Sequence, residues 1–266
     1  MAVEFNPSNS FSINRNLTTA SEQISNGRRI NAASDDVAGV GIAVNINTQI
    51  RSQDSAITNA ISGVSLVQTA QAGLSQVGDG LQQLRQLSLQ ASNGILSGSD
   101  RSALQTQADQ LLLGIQELLT NTRFNGLQPL SQQGTTELQI GASSADRFSI
   151  PSRDIAGALE ALGLNGIDLT DPNSFGTTLE ALDQSLELVT TTAAEFGASE
   201  NRLSSSIGNL EQSNQNQAGS VSRIEDADIA KSISELIRNQ LLERTQIALQ
   251  AQANSQRGQV LSLLNI

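Results

Sequence analysis

One periodicity constrains this chain more than any other feature. Leu179, Leu182, Leu186, Val189, Ala193, Phe196, Glu200, Leu203, Ile207, Leu210, Asn214, Gln217, Val221 and Ile224 follow one another at alternating spacings of 3 and 4, without a break. Side chains at that mean interval form one stripe on an α-helix. A stripe that stays in step over about six heptads needs a second helix lying along it, wound with a left-handed twist. Glu200, Asn214 and Gln217 are its polar positions. The last two either fix the register of the pair, as polar seam residues do, or mark where the helix loses its partner.

The second helix is found in the first half. Ile46, Ile50, Ile57, Ile61, Val64, Val67, Leu74, Val77, Leu81, Leu84 and Leu87 mark a helix over 42–91, about 75 Å long at 1.5 Å per residue. Gly63, Gly73, Gly78 and Gly80 weaken it, so bends or close backbone approaches are expected there. The breaker run "SNGILSGSD" turns the chain, and a third stripe follows at Leu104, Ala108, Leu111, Ile115, Leu118 and Thr122. Residues 126–176 differ in character: "TTELQIGASSADRFSI" alternates, turns and alternates again, as a β-hairpin does, and Pro129, Pro151 and Pro172 lie in this region. The expected fold is mainly α, with long antiparallel helices in a coiled-coil-like bundle and a small hairpin and loop region mid-chain.

The ends mirror each other. Ile13, Leu17, Ala20 and Ile24 form a short stripe that stops at Asn26-Gly27, a pair suited to a left-handed helix cap. In the break that follows, "SNGRRINAASDDVAG", Ser34 is expected to cap the long helix, with Asp35 and Asp36 in its first turn complementing the helix dipole. Near the other end "SRIEDAD" interrupts the chain. A new stripe then starts at Ile229, Ile233 and Leu236, with Ile237 and Leu241 beside it, and the tail adds Val260, Leu261, Leu263 and Leu264. Folded back on itself, such a chain pairs long helix with long helix and places the terminal helices side by side. This divides it into an inner domain of 1–41 plus 226–266 and an outer domain of 42–225. Arg28 and Arg29 then face Glu225, Asp226 and Asp228; with Ile30, Asn31, Asp35, Asp36 and Arg223 these are the expected interdomain or subunit contacts. Exposed ion pairs contribute only about 0–1 kcal/mol each, so their expected role is register rather than stability.

Composition narrows the function. Neither His nor Cys is present, which removes the usual acid–base group near neutral pH, thiolate chemistry and the commonest metal ligands. No cofactor or metal is expected. Asp35-Asp36 and "EDAD" are read as dipole and contact residues, and "GVGIAV" lacks both the third glycine and the preceding strand of a phosphate loop. A net charge of −11 with Lys231 the single lysine argues against nucleic acid as partner. No run reaches the roughly 18 apolar residues of a membrane span. The first residues lack a basic segment followed by an apolar one, so no cleaved signal peptide is expected. Asn16-Leu17-Thr18 is a formal glycosylation sequon, but Leu17 lies on the apolar stripe. The apolar fraction is 38%, with six Phe and no Trp or Tyr, which suits narrow helical seams better than a large core. The terminal stripes are too short and narrow to be stable alone. Residues 1–33 and 229–266 are therefore expected to order when neighbouring copies supply apolar surface.

The motifs "SNGRRINAASDDVAGVGIA", "TRFNGLQPL", "ASENRLSSSIGNL", "SRIEDADIA" and "VLSLL", in this order, resemble bacterial flagellin over nearly the whole chain, without the large central insertion many flagellins carry. The resemblance implies a subunit that polymerises with itself into the extracellular flagellar filament used for motility, with its terminal helices lining the filament core. It implies type III export without signal cleavage and a chaperone on the C-terminal helix, and it makes the filament-cap and hook-junction proteins partners. A Toll-like innate receptor recognises flagellins along the face that here holds Leu84, Arg85 and Leu87; Gln83 and Gln107 replace charges found in many activating relatives, which implies weaker recognition. The competing readings are a hook–filament junction protein of the same family and a secreted coiled-coil binding module; an enzyme has no nominated site.

Overall fold

The structure is a computed structural model. It describes residues 7–264, with side chains from 11 to 260. In chain order the elements are α1 (Pro7–Asn26), α2 (Val37–Ala91), α3 (Gly98–Asn121), β1 (Gly134–Gln139), β2 (Arg147–Ser152), α4 (Ile155–Ala161), a 3₁₀ turn (Leu164–Gly166), α5 (Phe175–Glu225) and α6 (Ile229–Leu264). They form two compact units, residues 51–214 and residues 1–50 with 215–266. The unit boundaries fall inside α2 and α5, whereas the sequence breaks lie at the ends of those helices.

In the 51–214 unit, α2 and α5 run antiparallel. Gly63 meets Leu203, Gly78 meets Val189, and Arg85 meets Asp183. The buried face of α2 is Gln53, Ala56, Ala60, Gly63, Val67, Ala70, Leu74, Val77, Leu81, Leu84, Ser88 and Ala91, an unbroken alternation of 3 and 4. This corrects the expected stripe at its first half. Ile61 is 52% exposed and Ile57 half-buried, because the seam there is built of small residues. Gly63 shows why: a Cβ there would sit 3.2 Å from the Leu203 side chain. The glycines of α2 leave the helix continuous and mark close approaches. At Gly73 a Cβ would lie 2.7 Å from Thr122 Oγ1, and at Gly80 2.9 Å from Ile115 Cγ1, which seats α3 against α2.

The seam of α5 is also rotated from the expected one. Leu182, Val189, Phe196 and Leu203 are buried as expected, but the alternating row is Thr178, Ser185, Thr192 and Ser199. Leu186 and Ala193 are only half-buried, and Glu200 reaches outward to accept a bond from Gln68 Nε2 at 2.7 Å. Buried hydroxyls need partners. Ser185, Thr192 and Ser199 donate to the carbonyls of Ala181, Leu188 and Glu195 in their own helix. They thus behave as small side chains with no unmet polar demand. Asn214 keeps a partner, donating to Asp54 Oδ1 at 2.7 Å, while Gln53 donates to Ser213 at 3.3 Å.

Capping and turn chemistry close the rest of this unit. Ser97 and Asp100 form a reciprocal capping box on α3. Asn125 and Gly126 take positive φ (49° and 82°) in a two-residue turn closed by bonds between Phe124 and Leu127. β1 and β2 pair antiparallel from Gly134↔Ser152 to Gln139↔Arg147. The hairpin buries Phe148 and Ile150 and is tied to α2 by Asn59 Nδ2 donating to the Gln139 carbonyl. Two short elements lie where a loop was expected: α4, capped by Asp154, and the 3₁₀ turn, whose Ile155, Leu159 and Leu164 join the core.

In the other unit α1 and α6 lie antiparallel. Ser232 Oγ donates to Gln23 Oε1 (3.3 Å), and a groove between the helices is lined by Ile13, Asn16, Thr19 and Ala20 on one side and Glu235, Arg238, Asn239 and Leu242 on the other. Only Ile13, Ala20 and Ser232 of the described side chains on these two helices are buried.

Candidate functional site

The "SNGRRINAASDD" and "SRIEDAD" breaks meet, and main chain carries most of the contact. Arg29 N donates to the Glu225 carbonyl (2.5 Å) and Ala227 N to the Gly27 carbonyl (3.0 Å), so Arg28 and Asp226 face each other as an isolated antiparallel bridge. Gly27, at φ 67°, makes the left-handed turn that aims its carbonyl there. The Arg29 guanidinium donates to the Ile224 carbonyl at 2.6 Å, a cation on the C-terminal end of α5 where the helix dipole is negative. Its Nη2 also lies 3.9 Å from Asp36. Arg28 reaches Glu225 at 3.9 Å with its side chain 61% exposed.

The remaining residues of this set act locally. Asp36, not Ser34, caps α2: its Oδ1 accepts from Gly39 N at 2.8 Å. Asp35 turns back to accept from Asn31 N and Ala32 N. These bonds, Ala32's foremost, hold its carboxyl below the usual range. Asp36 wins the cap because it alone directly precedes the first helical residue, and Asp35 is left to close the turn. Ile30 is buried against Gly39, where a Cβ would meet its Cδ1 at 2.8 Å. Asn31 accepts from the Asn26 side chain. Asp228 caps α6 by accepting from Lys231 N, and Arg223 donates to Ser220 within its own helix.

The expected assembly stripe divides sharply. Ile13 is buried between α1 and α6, and Leu17, Ile24 and Leu236 are half-buried. Ile229, Ile233 and Val260 are exposed, and so are Phe11, Ile237, Leu241, Leu242, Ile247 and Leu249. The side chains of Leu261, Leu263 and Leu264 lie outside the described residues. α6 therefore turns Ser232, Leu236 and Leu242 toward α1 and leaves the row Ile229, Ile233, Ile237 and Leu241 facing solvent. A contiguous exposed apolar face of this kind marks an interaction surface.

Of the residues on the expected receptor face, Leu84 lies on the buried α2 seam and Leu87 is buried beside it in the 51–214 core. Gln83 and Gln107 are exposed, and Arg85 is half-exposed, held by Asp183 at 2.7 Å. No cluster of three or more potential metal ligands occurs among the described residues, and none of their helices is long and apolar enough to cross a membrane.

Long antiparallel helices closed on their own seam, with a terminal pair that leaves the isoleucines of α6 uncovered, define a structural subunit built to join others. Family models place it. Residues 5–135 match the bacterial flagellin N-terminal helical region and residues 179–264 the C-terminal helical region, and the chain belongs to the bacterial flagellin family. It is 35% identical to flagellin of Halalkalibacterium halodurans over 246 residues, 92% of this chain and 90% of that one. Its fold is similar to the crystal structure of Bacillus cereus flagellin (TM-score 0.52, 26% identity, 57% of this chain and 88% of that one). A putative flagellar hook-associated protein from Vibrio parahaemolyticus shares the fold, at TM-score 0.61 and 15% identity over 72% of this chain and 100% of that one. The chain is a short flagellin, a self-polymerising subunit of the extracellular flagellar filament.

Proposed function

We propose that this subunit enters the filament through the aliphatic face of α6 together with α1, and that these terminal helices gain their full order only there. The single observation behind this reading is the orientation of α6, whose Ile229, Ile233, Ile237 and Leu241 are 40–60% exposed while Ser232 is buried. α1 covers too little of α6 to bury its apolar residues, so the area left over is supplied by neighbouring copies. In this reading residues 1–41 and 226–266 form the filament core, and 42–225 form the outer shell. The bridge between Arg28 and Asp226 fixes the register of the two breaks, at the end of α1 and the start of α6.

Before export the same face needs a cover, and a chaperone bound to α6 supplies it. The cap and hook-junction proteins meet the polymer's two ends, and the subunit travels through the type III apparatus with its N-terminus uncleaved. Recognition by a Toll-like receptor is weak, since Gln83 and Gln107 bring no charge and Leu84 and Leu87 are withdrawn into the core. The chain's role is structural, in keeping with its flagellin family.

Electron microscopy of purified protein after a salt or seed trigger tests the assignment, beside chains lacking residues 1–30 or 260–266. Intact protein forms filaments and the trimmed chains do not. Limited proteolysis of the monomer cuts both ends before the middle. Trimmed chains that polymerise as readily as the intact one refute the reading.

A further inference from the structure

Four Asn-Gly pairs occur in the chain, at 26–27, 93–94, 125–126 and 165–166. In such a pair the glycine nitrogen can attack the asparagine Cγ. The N–Cγ bond forms as the Cγ–Nδ2 bond breaks, and ammonia leaves a five-membered succinimide. Water then opens the ring to aspartate or, through the other carbonyl, to isoaspartate. No oxidant or cofactor is involved. The rate depends on whether that nitrogen is free, whether the backbone can turn, and how acidic the N–H is.

The structure separates the four. Gly166 N is committed to the Gly163 carbonyl at 3.0 Å, and the Asn165 side chain accepts from Gln116. Asn125 sits at φ 49° in a turn closed by two bonds. Asn26 ends the α1 ladder with its amide on Asn31, and Gly27 is bolted by its carbonyl to Ala227 N. Asn93 and Gly94 lie exposed and non-helical in the connection between α2 and α3, with no partner on Gly94 N; the Asn93 amide oxygen accepts one bond, from Ile95 N at 3.3 Å, which leaves the departing Nδ2 outside that bond.

Two donors converge on the peptide that holds this nitrogen. The Asn93 carbonyl accepts from Leu96 N at 3.1 Å and from Arg101 Nη2 at 3.4 Å. Drawing electron density toward that oxygen makes the Gly94 N–H a stronger acid, and the deprotonated amide is the nucleophile. Arg101 is held for this by its Nε, which donates to the Ala91 carbonyl (3.1 Å), and by its place over the Phe175 ring, 5.8 Å from the centroid. The same guanidinium offsets the product's charge. A carboxylate near the C-terminal end of α2 opposes the helix dipole, and Arg101 is within reach of it.

We propose that Asn93 is a self-modification site, converting to aspartate and isoaspartate faster than the other three, with Arg101 as the positioning residue. Each converted subunit gains one negative charge, and the isoaspartyl product lengthens the main chain by one methylene between α2 and α3. A filament subunit outside the cell is not resynthesised in place, so the mark accumulates with age.

The test is incubation of the purified full-length chain at mildly alkaline pH, followed by peptide mapping for the one-dalton mass gain and for isoaspartate at all four sites. Asn93 converts several-fold faster than each of the others. Arg101→Gln slows Asn93 and leaves the other three rates unchanged, with circular dichroism showing that the variant is folded; Gly94→Ala slows it further. Conversion at Asn26, Asn125 or Asn165 that equals or outpaces Asn93 overturns the site. An unchanged or faster Asn93 rate in folded Arg101→Gln overturns the role of Arg101.

Discussion

Replacing Ile233 and Ile237 together by glutamine isolates the aliphatic face of α6 from the stability of the chain. Full burial of an isoleucine is worth about 1.5–3 kcal/mol. Ile233 is 42% exposed and Ile237 53%, so the pair withholds from the monomer about the area of one whole side chain. If neighbouring copies cover that area, the double variant loses about 1.5–3 kcal/mol of association free energy per subunit. That corresponds to a rise of about 10- to 150-fold in the critical concentration for polymerisation. Glutamine is a good helix former, and surface changes away from special features stay within about 0.5 kcal/mol, so the unfolding of the monomer hardly moves. Critical concentration is measured by sedimentation after a seeded trigger, and monomer stability by denaturant titration of circular dichroism. An unchanged critical concentration refutes the assignment of this face. A large fall in monomer stability shows instead that the isoleucines are part of the subunit's own packing.

Reversing Arg28 and Arg29 to Glu impairs assembly but leaves monomer helicity nearly unchanged, because the charges are exposed and only the Ile224 carbonyl loses a strong partner; a normal filament yield by sedimentation counts against this. Gly73→Ala and Gly114→Ala make the same change inside two helices with opposite sign. Gly114 has open space around it and gains about 0.5–1 kcal/mol, whereas Gly73 meets Thr122 Oγ1 at 2.7 Å. Overpacking of about 1–3 kcal/mol then outweighs the helix gain at Gly73, and urea titrations that move both variants the same way refute the close approach. Asp100 is held below the usual carboxylate range, first by the Ser97 hydroxyl and then by its N–H. A lowered carboxylate pKa contributes stability that is present above the unfolded value, 3.8, and lost as pH falls through the folded one. Asp100→Asn therefore lowers stability at neutral pH and flattens its fall on acidification below 3.8, measured by thermal melts across that window.

Much of this molecule is legible in one dimension. The helices, the hairpin strands, the left-handed stop at Gly27 and the heptad period follow from rules that act within a few residues: spacing of apolar groups, glycine's tolerance of positive φ, and alternation along a strand. The short α4 and its 3₁₀ turn escaped because seven and three residues carry too little periodicity to register. The cap of α2 lies two residues beyond Ser34, since Ser34, Asp35 and Asp36 are all able to cap and only the first helical residue, Val37, decides among them.

What the chain alone determined is the set of long helices, the stop of α1 at Gly27, and that two of the helices are long enough to need each other. Which side of each helix is covered was decided in three dimensions. On α5, Ser185 and Leu186 differ by one step around the helix. The serine can be buried because its hydroxyl is satisfied by the Ala181 carbonyl and its small volume fits a close helix approach. On α6 a partner as narrow and polar as α1 cannot cover Ile229, Ile233 and Ile237, so those residues stay outside. Period is a property of one strand of sequence, whereas burial depends on the size of what lies opposite.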